Sequence, residues 1–333
     1  MGLKVDQTPI WIMRQAGRYL PEYHRIKEKA GGFLGLCKIP EHGIEVTLQP
    51  IRRFGFDAAI LFSDILIPAA AMGLEVAFSP GPVVGNPVTT LGDAQALRVP
   101  APEKSMPYVL EILKGLKTAL PAETALIGFA GAPYTVASYM VCEKHSAGPV
   151  EIIRKMVYSA PEILDVVLEK LVQTTVTYLR AQIAAGAEAV QLFDSSAWQL
   201  PPHLLERLAL APAGRIFAAL RDTGVPMIYF APGAMASLNR MKDVGATVIG
   251  TDWRIGLDRA RAILGDGIAV QGNLDSATLF GTPEAVRQEA RRVLDENGGR
   301  PGHIFNLGHG ILPETPIENV ETLVTAVREE SAQ

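Results

Sequence analysis

Cysteine is nearly missing from this chain: its 333 residues contain two, Cys37 and Cys142, far apart. They make no disulfide framework and no Cys-x-x-Cys pair, so a reduced, cytoplasmic setting is expected and a dedicated zinc site is not. Positive charge is also short. Lys and Arg number 31 against 35 Asp and Glu, a net charge of −4. A nucleic-acid surface would need a basic face, so no nucleic-acid partner is expected. Any anion site must be built from locally gathered cations. Long apolar runs are absent: Pro, Gly or a charge interrupts each stretch before it reaches the roughly 20 residues of a membrane span, so no membrane partner is expected. The start, Met1 to Gln7, lacks the basic-then-apolar pattern of a signal peptide. Missing too are the Gly-Lys-Ser/Thr phosphate loop, the G-x-G-x-x-G fingerprint, the His-Glu-x-x-His helix and the G-x-S-x-G elbow. What remains is chemistry run by protons and electrostatics.

What is present is apolar residues, 48% of the chain, in a regular alternation. Short, nearly continuous apolar runs recur at Pro9–Met13, Asp57–Phe62, Ala125–Phe129, Ala189–Phe193, Pro226–Phe230, Thr247–Ile249, Ile268–Val270 and Ile304–Asn306. Each reads as a strand buried on both faces. Amphipathic stretches lie between them. Ile44, Leu48 and Ile51 share one face, as do Val109, Ile112, Leu113 and Leu116. Ile163, Val167, Leu171, Leu179 and Ile183 mark a long helix stopped at Gly186. Thr282-Pro283 opens another with a cap and a first-turn proline, Asn297-Gly298-Gly299 closes it, and Thr315-Pro316 opens the last. Eight strands alternating with helices is the count that closes a (β/α)8 barrel, and no linker divides residues 1–333, so a single α/β barrel domain is expected. Gly73–Val88 alternates apolar residues among Gly and Pro and reads as a small hairpin insertion. A doubly wound sheet is the alternative, disfavoured because no dinucleotide fingerprint follows the first strand.

Such barrels work at the C-terminal ends of their strands. Those ends carry Arg14, Ser63-Asp64, Gly131-Ala132-Pro133-Tyr134, Asp194-Ser195, Ala231-Pro232-Gly233, Asp252-Trp253, Gln271-Gly272-Asn273 and Gly308-His309-Gly310. The opposite ends, such as Gly55-Phe56 and Gly224-Val225, carry no comparable set. That asymmetry points to an enzyme. The first end is the most informative, because Arg14 and Arg18 place two rigid donor forks four residues apart, suited to carboxylate or phosphate. Gly17 between them leaves room for a ligand or another backbone to approach. Taken alone, these arginines suit either an anion clamp or bridges to acidic surface neighbours. Asp64 suits a helix cap as well as a site. Ser195 suits a turn cap, His309 an idle loop, and Tyr139 and Phe193 an ordinary core.

The segments Pro9–Tyr23, Phe62–Leu66, Gly128–Pro133, Gly250–Trp253, Gln271–Asp275 and Asn306–Gly310 together settle on one likeness. The chain resembles the uroporphyrinogen decarboxylase family of haem biosynthesis over almost its whole length. The resemblance implies a (β/α)8 homodimer that uses no cofactor and no metal. It implies removal of carbon dioxide from the four acetate side chains of uroporphyrinogen III, giving coproporphyrinogen III. It also implies roles. Arg14 and Arg18 bind substrate carboxylates, and Asp64 accepts hydrogen bonds from the pyrrole N–H groups at the macrocycle centre. Tyr139, Ser195 and His309 are further substrate contacts, and Tyr23 and Phe193 are apolar pocket walls. Two positions depart from the family pattern: Tyr134 stands where relatives often have Trp, and Ser196-Ala197-Trp198 replaces a Trp-Ala/Gly-Gly sequence.

Two other classes compete. A methyltransferase of the same barrel superfamily, handling corrinoid-bound or thiol-bound methyl groups, would need a His-x-Cys zinc motif that the chain lacks. It would also leave the arginine-rich opening unexplained. A non-catalytic tetrapyrrole carrier would need the clamp, with no reason for an aspartate at the macrocycle centre.

Overall fold

The computed structural model describes residues 6–78, 81–142 and 149–331. Its strands are β1 (Ala58–Ile60), β2 (Val76–Phe78), β3 (Pro82–Val84), β4 (Ala125–Gly131), β5 (Ala189–Phe193), β6 (Met227–Phe230), β7 (Val248–Gly250), β8 (Ala269–Leu274) and β9 (His303–Leu307). β2 and β3 pair with each other, antiparallel, within the expected excursion. The other seven form one curled parallel sheet in the order β1-β4-β5-β6-β7-β8-β9. That order never reverses, so there is no switch point and the doubly wound alternative is excluded. Helices return the chain between successive strands, the longest being Pro161–Ala184. Thr282 caps its helix as expected, accepting from the Ala285 N–H at 3.2 Å.

Of the eight expected strands, seven form the sheet's ladders and the first does not. Pro9–Met13 joins the sheet by a single parallel bridge, Ile10 to Phe305, rather than by a ladder. The reason lies in which atoms take its N–H groups. The Ile10 N–H goes to the Asp57 carboxylate at 2.7 Å and the Met13 N–H to the Asn306 side chain at 3.1 Å. Two side chains thus occupy places that strand carbonyls would fill. The segment is nonetheless buried and bonded on both sides. Trp11 and Phe305 exchange backbone contact at 3.3 Å, Phe305 donates to Pro9 at 2.8 Å, and Asp57 donates to Ile10 at 3.0 Å.

Inside the sheet's curl the segment is tied across to other strands. The Trp11 indole donates to Gln271 at 3.1 Å, the Gln271 amide to Gln191 at 3.0 Å, and the Gln191 amide to the Met13 sulfur at 3.8 Å. All four side chains are buried, so each polar group that lost water finds a partner in this chain of contacts. Ile10, Ile12, Leu192, Ile249, Val270 and Phe305 alternate with this set and are buried on the sheet's other face. Their burial, at about 25 cal/mol per Å² of apolar surface, holds the residues after Met13 at the strand-end rim. Among the described residues no helix is long and apolar enough to cross a membrane.

Candidate active site

Arg14 follows the first buried segment directly and has φ 63°, alone among the described non-glycine residues in lying at positive φ. An L-residue in that region costs about 1–2 kcal/mol, so the surroundings must hold it there. They do so from both sides. Met13 donates to Asn306 and accepts from the Ile311 N–H at 2.9 Å. Gln15 donates from its backbone to Ile12 at 3.1 Å, while its side chain accepts from the Ile12 N–H and donates to Ala58. The result is an exposed guanidinium on a pinned backbone. Gly17 is needed for a different reason than a ligand's approach: a Cβ there would lie 2.9 Å from the Arg14 carbonyl oxygen.

Arg18 is exposed too, and its carbonyl accepts from the His24 ring at 2.7 Å. Neither Arg14 nor Arg18 forms an ion pair among the described residues, although Glu22 lies in the same segment and pairs with Arg53 at 2.9 Å. Arg52, Arg180 and Arg215 likewise have carboxylate partners. The bridging-arginine reading therefore fails, and two unpaired cations stand at the rim.

Asp64 lies just beyond β1. One of its oxygens accepts from the Leu66 N–H at 2.8 Å, so the cap reading is correct for that oxygen. No hydrogen bond to the other oxygen occurs among the described residues. Burial raises the Asp64 carboxyl above its ordinary value, while the Leu66 N–H and the Arg14 cation oppose the rise. Tyr139, on the helix Pro133–Met140 after β4, is half-buried. Burial pushes its phenol up, the Asp64 charge adds to this and Arg14 opposes it. His309, two residues past β9, is pulled down first by burial and next by Arg14. Arg14 is thus the electrostatic hub of Asp64, Tyr139 and His309, which arrive from three different strand ends.

The remaining residues line the flanks. Tyr23 is buried, its hydroxyl pushed up to about 12 by burial and by Cys37, with Arg18 opposing. Its ring lies 5.9 Å from Phe62. Phe193 ends β5 and meets Phe129 and Phe230 edge-on at 5.7 and 6.2 Å. Ser195 is exposed two residues later. Beneath it Asp194 is fully buried, accepting from Thr135 at 2.6 Å and from Tyr229 at 2.8 Å. Thr135 also accepts from the Ser196 N–H at 3.0 Å, which fixes the turn that presents Ser195. Of the two departures from the family pattern, Tyr134 is wholly buried and Trp198 is 56% exposed.

The glycines around His309 each make room for a neighbour. A Cβ on Gly310 would come within 2.4 Å of the Arg14 side chain, and one on Gly308 within 2.8 Å of the Trp253 ring. Sequence reading singled out the pair Asp252-Trp253 but not Arg254, whose guanidinium lies 4.6 Å above the Trp253 ring. The available signal was the one that marked Arg14: an arginine just past a strand end. Among the described residues no three His, Cys, Asp or Glu side chains gather as a metal-binding group.

Comparisons with known proteins place the chain in a family. The sequence model of the uroporphyrinogen decarboxylase family matches residues 1–330. The chain belongs to the uroporphyrinogen decarboxylase family. A family member from Syntrophotalea carbinolica is 50% identical over 98% of this chain and 94% of its own length. Another, from Geobacter metallireducens, is 48% identical over 98% and 95%. Among solved structures, a methyltransferase from Methanosarcina mazei superposes with a TM-score of 0.81 over 97% of this chain and 94% of that one, at 22% identity. A B12-independent methionine synthase from Shewanella superposes at 0.60 with 11% identity. At such identities these two speak to the fold alone.

Proposed function

We propose that this chain is a uroporphyrinogen decarboxylase, converting uroporphyrinogen III to coproporphyrinogen III by removing carbon dioxide from its four acetate arms. Membership of the family over 98% of the chain supports the activity. The observation that carries the site is the gathering of Asp64, Tyr139 and His309 around the unpaired Arg14. Loss of carbon dioxide leaves a carbanion equivalent that needs an electron sink. The residues at the rim offer none, so the substrate must supply it, as a pyrrole protonated beside the acetate arm. The Asp64 carboxylate, placed at the pyrrole nitrogens, stabilises the positive charge that develops, and in a dry pocket that term is large. Arg14 and Arg18 hold substrate carboxylates that otherwise repel one another. Tyr139, Ser195 and His309 contact the substrate's polar edges, and Tyr23 and Phe193 its apolar faces. The deciding assay is anaerobic incubation with uroporphyrinogen, followed by counting carboxyl groups on the oxidised product. Eight retained carboxyls would refute the reading. Full activity is expected after exhaustive dialysis against a chelator.

The finer architecture belongs to the same proposal. Pro9–Met13 takes the place of an eighth strand between β1 and β9, closing a single-domain (β/α)8 barrel; its hydrogen bonds to Asp57 on one side and Phe305 on the other support this. The working unit is a cytoplasmic homodimer with the rims covered. Trp198, Trp253, Phe280 and Leu312 are 56, 37, 47 and 37% exposed, and all four lie in the segments that follow strand ends. Exposed aromatic and apolar groups at this end suit a partner surface, although Ile39, Leu91, Val99 and Tyr158 are exposed elsewhere. A fully active monomer in sedimentation at micromolar concentration would overturn the dimer.

A further inference from the structure

The charge at the rim does not balance for the substrate proposed above. Four acetate arms enter a site where two cations, Arg14 and Arg18, are unpaired and one of them also faces Asp64. Arg254 offers what is short. It follows β7 by four residues, on the same rim, and half of its side chain is exposed. Two contacts hold it in place. One nitrogen lies 3.0 Å from the fully buried Asp252 carboxylate, and the guanidinium lies over the Trp253 ring. Asp252 does not depend on that nitrogen for its hydrogen bonds. Its oxygens also accept from the backbone N–H groups of Gly233 at 2.5 Å and Arg254 at 2.9 Å. A guanidinium has five N–H donors, and one is engaged among the described residues. Four more remain on a half-exposed side chain whose freedom is already restricted, so binding an anion there loses little entropy.

Its position relative to His309 is the second observation. Trp253, under Arg254, packs on the glycine before His309, and Arg14 packs on the glycine after it. Two guanidiniums therefore flank one histidine. Both cations push the His309 ring toward its neutral form. We propose that Arg254 is a third carboxylate-binding residue of this site, holding an acid arm of the substrate on the flank of His309 away from Arg14. The inference rests on the polycarboxylate substrate proposed above.

The test is a fluorescence titration with oxidised uroporphyrin, which reads binding without turnover, on wild type, Arg254→Gln and Arg254→Lys at low and high salt. Gln keeps a donor beside Asp252 and removes the cation; Lys keeps the cation and loses the fork. The Gln variant is expected to weaken binding about tenfold at low salt, the lower end for a charge-assisted contact at a half-exposed site. The gap to wild type narrows as salt screens it, and Lys falls between. Steady-state kinetics should show the same loss in KM with kcat little changed. Equal affinities for wild type and Gln would overturn the proposal. So would an equal loss at both salts, which marks a structural role for the Asp252 pair. If wild type binds uroporphyrin but leaves uroporphyrinogen intact, the decarboxylase reading fails while the titration still decides Arg254.

Discussion

Two histidines six residues apart mark the two ends of β9, and the difference between them separates what stabilises this protein from what it works with. His303 opens the strand. It is buried, its Nε2 lies 2.9 Å from the Gly272 carbonyl, and its ring sits 5.9 Å from Phe305. Burial pulls it down to about 4, so it is neutral at neutral pH. His309 lies past the other end, half-buried, between two glycines that admit Arg14 and Trp253. Burial lowers it as well, but the next cause is the charge of Arg14. At the base of the sheet an ionisable group is silenced by exclusion of water. At the rim burial acts first, but neighbouring charges add to it, and a ligand can compensate those.

The sharpest way to break this contrast is at the rim. Asp64→Asn should lower turnover roughly 10²–10³-fold, the usual cost of removing one preorganised group that meets developing charge. The fold should survive, because the Asn oxygen can still accept from the Leu66 N–H that Asp64 binds at 2.8 Å. Near wild-type turnover with an unchanged circular dichroism spectrum would sink the role.

The base predicts a stability effect of similar size and no effect on turnover. In the unfolded chain His303 takes a proton near pH 6.5; in the folded protein it does so near pH 4. Its contribution is therefore fully present above pH 6.5 and is lost as pH falls from there to about 4. The loss is about 3 kcal/mol. Gln at this position keeps a donor for the Gly272 carbonyl and removes the titration. Chemical denaturation of His303→Gln should show a shallower decline over that window, with neutral-pH activity retained. An acid profile identical to wild type would place the titrating group elsewhere.

A smaller effect is expected from Arg14→Lys or Arg18→Lys. A point charge replaces a fork, and kcat/KM should fall roughly ten- to a hundredfold at either site. If both variants behave like wild type, the unpaired guanidiniums are not carboxylate ligands.

The base was also the more legible end in sequence. Strands of a parallel sheet are buried on both faces, so Ala125–Phe129 and Ala189–Phe193 announced themselves as near-continuous apolar runs, and both are strands. Pro9–Met13 looked the same. Periodicity cannot register that Asp57 and Asn306 would take its N–H groups and shorten its ladder to one bridge. At the rim, Arg14, Arg18, Asp64, Tyr139 and His309 were found through motif resemblance, and the structure gathers Asp64, Tyr139 and His309 about Arg14. The support beneath them stayed hidden. Asp194 meets Thr135 across 59 positions and Tyr229 across 35, separations no local pattern encodes. Arg254 was hidden differently: its partner Asp252 is two residues away, which disguises a rim cation as a local ion pair.

The smallest expected effect compares the two histidines most directly. Arg14→Met keeps a methylene stem to pack on Gly310 and removes the charge. The His309 imidazolium is disfavoured by burial first and by Arg14 second. Losing the cation removes the second cause and leaves the first, so the titration midpoint of His309 should rise while staying below its ordinary value. His303 supplies the internal control. Its neighbouring cation is Arg261, not Arg14, and its depression comes chiefly from burial, so its midpoint should not move. Ring resonances followed by NMR across a pH series read both at once. A rise at His309 alone would show that the Arg14 charge adds to burial at the rim and does not reach the base. Movement of both, or of neither, would mean that Arg14 does not act on His309 through its charge, and the division between the two ends of β9 would fall.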